Sequence, residues 1–222
     1  MDAPIDTLVV APGLLQRHSF GRELVAAQRD AEVPILDVSD DIFTLLSGKD
    51  GPQGLAAVVR QRWDRLTDTE SGNALAWVAL EAVQDPGNLG SILRTGDAVG
   101  AGGIILVGPT ADPHDPTAVR ASMGAIFAQR LVRADIADLA VWARRHALQV
   151  VGTSDAAATT YTHLRYRRPT LLLMGSEREG LSPSLQSLAD EMVRIPMVGR
   201  GDSLNLAVAT SLVLYEMFNE RT

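Results

Sequence analysis

Hydrophobic and polar positions follow two regimes along the chain. Up to about residue 64, short apolar runs alternate with polar stretches. Residues 5–10, 33–38 and 55–59 predict strands. Residues 19–29 predict a helix with Phe20, Leu24, Val25 and Gln28 near 3.6 spacing, and residues 40–46 a short helix opened by Asp40 and Asp41. The stretch 65–74 is polar and unpatterned, which predicts a linker. From residue 75 the apolar runs become continuous. Residues 75–83, 104–107, 149–152, 170–174 and 192–196 predict strands, with a further short one near 130–132. Between them, 88–99, 117–127, 136–146, 182–189 and 203–219 predict helices, with Ser182 placed to cap its helix and Pro183 at the first position. Continuous apolar strands separated by helices imply a parallel sheet covered on both faces, an α/β fold. The pattern divides the chain into a small domain over 1–64, a linker over 65–74 and a larger domain over 75–222.

The last helix differs from the others. Leu204, Leu206, Ala207, Val208, Leu212, Val213, Leu214, Tyr215 and Phe218 leave little polar face. A helix apolar all round is expected to be buried on all sides, and a subunit interface is one way to achieve that.

Composition narrows the classes. The chain has 222 residues, 46% hydrophobic and 21% charged, which suits a globular protein with a sizeable core. No apolar run reaches the roughly 18 residues needed to span a bilayer. The start, Met1-Asp2-Ala3-Pro4-Ile5-Asp6, lacks the basic and apolar regions of a signal peptide, so a cytoplasmic location and no membrane partner are expected. The absence of cysteine excludes disulfides, Cys-ligated zinc and a Cys nucleophile. A net charge of −7 argues against nucleic acid as partner, but net charge does not fix local charge. Of the 20 basic residues one is a lysine, and arginines cluster at Arg60, Arg62, Arg65 and at Arg165, Arg167, Arg168. Arginine suits phosphate forks and base stacking, although such clusters are as often solvated faces.

Three short stretches carry candidate chemistry. Gln84-Asp85-Pro86-Gly87-Asn88-Leu89-Gly90-Ser91-Ile92-Leu93-Arg94 reads on its own as a turn into a helix that Asn88 could cap. Arg94 lies six residues beyond Asn88, on roughly the opposite helix face. Leu173-Met174-Gly175-Ser176-Glu177-Arg178-Glu179-Gly180-Leu181 is a Gly-rich turn after an apolar strand, where open α/β sheets bind ligands. Ile195-Pro196-Met197, followed by Ser203-Leu204-Asn205, joins the last strand to the last helix, with Ser203 placed as N-cap. No G-x-G-x-x-G opens a helix after the first strand, which demotes a nicotinamide or flavin enzyme.

In this order the three stretches resemble the motifs of the SpoU (TrmH-type) branch of the SPOUT RNA methyltransferases, and Ser122-Met123-Gly124-Ala125 resembles that family's S-x-G-A segment. The resemblance runs from about Leu75 to the C-terminus. It implies an α/β domain with a C-terminal trefoil knot, a device nearly absent elsewhere. It also implies S-adenosylmethionine (SAM) as cofactor and a homodimer built near the last helix. Gln53-Gly54-Leu55-Ala56-Ala57 resembles the stretch closing an L30e-like RNA-binding domain, here expected to be short and truncated. About 60 residues is marginal for independent stability.

The implied reaction moves a sulfonium methyl to a ribose 2′-oxygen of RNA, ribosomal in preference to transfer RNA. A hydroxyl is a poor nucleophile until its proton is removed or shared. By resemblance Arg94 is the catalytic group. A guanidinium is ordinarily all donor, so Arg94 either needs a relay to act as base or stays charged and stabilises the developing alkoxide. Asn88 and Asn205 match positions that orient ribose or phosphate, Ser203 one that positions Arg94 or a phosphate oxygen. Glu177 matches one that holds an arginine or the cofactor's ammonium. Gly175, Ile195, Leu204 and Thr153 match the positions that cradle SAM through backbone groups. No metal is implied, because the sulfonium is already activated. Two alternatives stand beside this reading. One is a non-catalytic RNA-binding protein retaining the fold, against which the intact site residues weigh. The other is a doubly wound α/β enzyme for a small metabolite, with neither SAM binding nor a dimer on the last helix.

Overall fold

The computed structural model describes residues 4–16, 19–72, 74–201 and 203–220. Asn73 of the expected linker and Asp202 of the last loop lie outside the described residues, as do the extreme termini. The chain forms two compact units, residues 1–61 and 62–222.

The smaller unit carries strands β1 (Ile5–Val10), β2 (Ile35–Asp37) and β3 (Leu55–Val59) in the order β2-β1-β3. β1 pairs parallel with β2 and antiparallel with β3. Helices α1 (Pro12–Leu15), α2 (Ser19–Asp30) and α3 (Asp40–Ser47) complete it. Ser39 caps α3 by accepting from Ile42 N, and the two aspartates of the first turn face its positive end. The core of this unit is small: Leu8, Val10, Leu15 and Val25. The four-residue helix α1 carries too short a pattern to be read from sequence.

The larger unit is built on strands β4 (Ala76–Glu81), β5 (Gly103–Val107), β6 (Leu131–Ala134), β7 (Gln149–Thr153), β8 (Thr159–Thr160), β9 (Thr170–Met174) and β10 (Glu191–Arg194). They form one sheet in the order β6-β5-β4-β9-β7-β10-β8. Every neighbouring pair is parallel. Helices α4 (Pro86–Val99), α5 (Pro116–Ala121), α6 (Ile136–Arg145), α7 (Pro183–Gln186) and α8 (Leu206–Asn219) cover it. Strand residues alternate between two cores. Val78, Leu80, Ile104 and Leu106 pack with α4 and α8 on one face. Trp77, Ala79, Ile105 and Val107 pack with α6 and α7 on the other. This is why β5 and β9 are buried at all five positions, and why their sequences are continuous apolar runs. Each fully buried aliphatic side chain contributes roughly 1.5–3 kcal/mol.

The stretch 65–74 is not free of structure. Leu66–Asp68 form a 3-10 turn with Leu66 buried, and the buried Trp142 indole N–H donates to Thr69 O at 3.0 Å.

Several expectations need correction. The helix expected over 117–127 is broken: α5 ends at Ala121, Met123 and Gly124 take positive φ of 50° and 91°, and a 3-10 turn follows over Ala125–Phe127. Glycine reverses the chain there without steric cost, so the helix stops. The expected helix over 182–189 shrinks to a single turn, with Ser182 capping it by accepting from Leu185 N as anticipated. The last helix begins at Leu206 rather than Ser203, because Asn205 caps it by accepting from Ala207 N and Val208 N. That helix is also not buried on all sides: Val208, Leu212 and Tyr215 are exposed in the single chain.

Candidate active site

The sheet changes direction at its centre. From β4 the chain moves outward to β5 and β6, then returns to build β7, β9 and β10 on the other side. Loops leaving the carboxyl ends of strands at such a reversal form a crevice. A cavity of about 450 Å3 opens there, against the ends of β7, β9 and β10 and the start of α8. Met174, Leu181, Val193, Ile195 and Leu206 give it an apolar lining, while Asp155, Glu177 and Glu179 outnumber Arg178 among its charged residues.

The loop after β9 is tightly folded. Ser176 and Gly180 exchange two backbone hydrogen bonds of 3.1 Å each. Gly180 sits at φ 67°, and a Cβ on Gly175 would lie 1.9 Å from the Gly180 carbonyl carbon. Glycine is therefore the one residue that fits at 175, and it keeps 180 free of strain. The loop is tied to β4 as well: Ser182 N donates to Glu81 Oε2 at 2.7 Å.

The turn from β4 into α4 is strained and pinned. Ala82 has φ 52°. The Gln84 amide donates to Ala82 O at 2.9 Å and to Pro109 O at 3.1 Å. Asp85, not Asn88, caps α4, accepting from Gly87 N at 2.6 Å and Asn88 N at 3.2 Å. That frees the Asn88 side chain for other partners.

Those partners are Glu177 and Asn205. Asn88 Nδ2 donates to Glu177 Oε1 at 2.9 Å, and Asn205 Nδ2 donates to Asn88 Oδ1 at 2.8 Å. Asn205 Oδ1 is committed to the α8 backbone at 2.9 and 3.2 Å, so its nitrogen must face Asn88 and the Asn88 nitrogen must face the carboxylate. The second Glu177 oxygen accepts from Gln84 N at 3.4 Å. One hydrogen-bonded chain thus joins all three motif stretches, with the nearly buried Asn88 at its centre. A satisfied network of this kind fixes geometry more firmly than its separate bonds.

Of the nine residues singled out from sequence, six line the cavity: Thr153, Gly175, Glu177, Ile195, Ser203 and Leu204. The Thr153 hydroxyl donates to Leu173 O at 3.3 Å. Asn88 and Asn205 stand behind Glu177 rather than on the cavity wall. Arg94 stands apart: it is exposed on α4, outside the lining, with no hydrogen bond or ion pair among the described residues. Next to it, Thr95 Oγ1 lies 2.9 Å from Ser211 Oγ and joins α4 to α8. Sequence reasoning missed Glu81 and Asp155, and it quoted Gln84 at the head of the first stretch without giving it a role. Glu81 and Gln84 bond to backbone groups, and the one available signal for Glu81 was its place at the carboxyl end of a strand.

The model of the SpoU rRNA Methylase family matches residues 76–215, a span that contains all three motif stretches and the whole cavity. The chain belongs to this family. A 23S rRNA (uridine(2479)-2'-O)-methyltransferase of Streptomyces viridochromogenes is 34% identical over 225 residues, covering 98% of this chain and 77% of that protein. A 23S rRNA (guanosine(2553)-2'-O)-methyltransferase of Bacillus subtilis strain 168 is 29% identical over 214 residues, covering 96% of this chain and 84% of that protein. The crystal structure of an AdoMet-bound rRNA methyltransferase from Sinorhizobium meliloti matches with a TM-score of 0.89 at 39% identity, covering 99% of this chain and 82% of that one. The coverage takes in both compact units, so the likeness extends beyond the SpoU motifs. The two ribosomal relatives carry different bases at their targets, so family membership defines a reaction class and not a nucleotide.

Proposed function

We propose that this chain is a SAM-dependent RNA methyltransferase that methylates a ribose 2′-hydroxyl, in ribosomal RNA before transfer RNA. The observation that carries the reading is the cavity at the carboxyl ends of β7, β9 and β10, joined through Glu177 to the Asn88–Asn205 chain. The donor set fits SAM. Apolar side chains from Leu181, Val193, Ile195 and Leu206 suit an adenine ring, and the carboxylates of Asp155, Glu177 and Glu179 suit an ammonium and a sulfonium. The positions at Gly175, Ile195, Leu204 and Thr153 would hold it largely through backbone groups. Bound there, SAM supplies a methyl group already activated on a positive sulfur.

The remaining work falls to the chain's own side chains. Asn88 and Asn205, locked by their mutual hydrogen bond behind Glu177, orient the ribose or its phosphate through the carboxylate they hold. Ser203, on the cavity lining, sets a phosphate oxygen or Arg94 in place. The 2′-hydroxyl would release its proton to solvent water as its oxygen takes the methyl group that the bound cofactor would supply. Arg94, kept charged, stabilises the alkoxide that develops on that oxygen. An exposed guanidinium without a protein partner is suited to this, since an RNA phosphate can then recruit it.

The larger frame of the reading is a C-terminal trefoil knot, supported by the insertion of β9 between β4 and β7 late in the chain. A homodimer is supported by the exposed stripe Val208, Leu212 and Tyr215 at i, i+4, i+7 on α8. The residues of the smaller unit act as a reduced L30e-like RNA-binding domain, the linker of 65–74 leads to the catalytic domain of 75–222, and the protein works in the cytoplasm without a metal. Arg94→Ala tests the assignment. Methyl transfer to total RNA from tritiated SAM should fall by two orders of magnitude or more, with SAM affinity by calorimetry within a few-fold. Activity that persists removes Arg94 from the mechanism.

A further inference from the structure

The fold gathers a second cavity, of about 410 Å3, beside edge strand β6, at the opposite margin of the sheet from β8. Residues 62–64 build one wall by running alongside β6. Asp64 N donates to Leu131 O at 2.8 Å, and Asp64 pairs with Val132 in an isolated parallel bridge. This places the half-buried Trp63 at the rim. The Arg133 guanidinium lies 4.1 Å from the centre of its ring, and His114 meets the ring edge-on at 5.4 Å. Trp142, 4% exposed and fixed by its bond to Thr69 O, forms the floor. Arg65 and Arg145 complete the basic lining.

The charges of this cleft run against those of the chain. The protein carries a net −7, yet three arginines line the cleft against two aspartates, Asp64 and Asp138. Asp64 is already paired with Arg62 at 3.3 Å. Arg65 reaches Asp68 at 3.7 Å, whereas Arg133 and Arg145 are exposed and form no ion pair among the described residues. Two guanidiniums without an ion pair among the described residues thus line the cleft, and one of them lies over the Trp63 ring.

We propose that this cleft binds one unpaired nucleotide of the substrate RNA together with its flanking phosphate, which deepens the methyltransferase reading and rests on it for the identity of the polymer. A guanidinium held 4.1 Å over the centre of an indole offers a nucleobase a cation and an aromatic ring side by side, and bases stack on either. Arg145 and Arg65 line the same cleft and would supply donors to the phosphate of that nucleotide. The cleft volume is in the range that encloses a ligand of nucleotide size. An acidic polypeptide would satisfy the arginines but has no use for the cation and ring together. None of these residues lines the cavity at the ends of β7, β9 and β10, so the cleft holds substrate without taking part in methyl transfer.

The test uses the full chain and a fluorescein-labelled single-stranded RNA decamer of mixed sequence, with binding followed by anisotropy. The double variant Arg133→Gln, Arg145→Gln should bind it at least ten-fold more weakly. Its slope of log affinity against log salt should flatten by about 0.7, the amount for the one phosphate of a single strand that the variant no longer neutralises. Both substitutions are at exposed positions, and SAM affinity reports that the fold is intact. Trp63→Phe, which keeps a ring under Arg133, should bind more tightly than Trp63→Leu. Equal affinity of double variant and wild type, with SAM bound normally, overturns the cleft and leaves the methyltransferase reading standing. A wild type that loses the decamer through this double substitution but never binds SAM keeps the cleft and overturns the reading. Loss of affinity for polyglutamate with RNA binding unchanged assigns the cleft to a protein partner and overturns the proposal.

Discussion

The two ends of α8 are built on different terms. At its start, Asn205 caps the helix and links through Asn88 to Glu177, so these three side chains satisfy one another inside one chain. Further along, Val208, Leu212 and Tyr215 turn apolar surface outward, and on the neighbouring α4 Arg94 holds its charge in solvent. The contrast is physical before it is functional. A cavity for a small charged molecule must be rigid and satisfied before the ligand arrives, because an unpaired buried polar group costs as much as a lost interaction. Groups that meet a macromolecule remain unpaired until it docks. In this chain the polar network at the start of α8 is closed, and the outer face of α4 and α8 is exposed.

The sharpest way to break the closed end is Gly175→Ala. The added carbon has no room against the Gly180 carbonyl carbon or Leu181 N, 2.2 Å away, and both are backbone. The Ser176–Gly180 loop must open, so SAM affinity should fall more than ten-fold by calorimetry. The thermal midpoint should drop as well, by an amount equivalent to about 1–3 kcal/mol. An alanine variant that binds SAM like the wild type would show that this loop is not the cavity's working wall.

Asn88→Ala attacks the same end more gently. It leaves Glu177 Oε1 and Asn205 Nδ2 without partners, at a cost of about 1–3 kcal/mol in chemical denaturation. The cap of α4 should survive, because Asp85 supplies it. Methyl transfer should therefore fall further than helix content.

Leu212→Glu probes the other side of the comparison. It adds charge to the exposed stripe and touches nothing in the cavity. In sedimentation analysis a dimer should become a monomer, while SAM affinity stays within a few-fold. A dimer that persists places the interface elsewhere.

What the sequence disclosed follows the same division. The strands of the larger unit were legible because a sheet covered on both faces demands unbroken apolar runs, as at Leu171, Leu172 and Leu173. The cavity residues were legible through a resemblance, and the geometry supplies a reason for two of them: Gly175 and Gly180 are what the folded loop allows. The caps of α4 and α8 were not, although that of α7 at Ser182 was. Asp85 and Asn88 are both good N-caps three residues apart, as are Ser203 and Asn205 two apart. The choice is settled by a carboxylate 89 positions from Asn88. Nor was the basic cleft visible, since Trp63, Arg133 and Arg145 are far apart in the chain and meet only along β6. Strand β8, two residues paired to β10, is too short to carry a period.

The smallest expected effect lies at the end of α8 farthest from the cavity. Tyr166 donates its hydroxyl to Tyr161 O at 2.7 Å, and its own N–H binds Glu220 Oε2 at 3.1 Å. Burial, helped by the negative charges of Glu216 and Glu220, pushes this phenol above its ordinary value of 10.0. The sign follows from which state releases the proton first. Below pH 10 the phenol is neutral in both states and costs nothing. Above it the unfolded chain ionises while the folded chain does not, so stability is lost as pH rises past 10. Partial exposure screens the effect to about 0.5–1 kcal/mol between pH 10 and 11. Tyr166→Phe gives up the hydrogen bond, at about 0.5–1.5 kcal/mol near neutrality, and removes this alkaline loss. Urea denaturation of both proteins from pH 8 to 11 should therefore show their stabilities converging above pH 10. Parallel curves would mean that the phenol ionises equally in both states, and that this end of α8 is as open to water as the exposed stripe beside it.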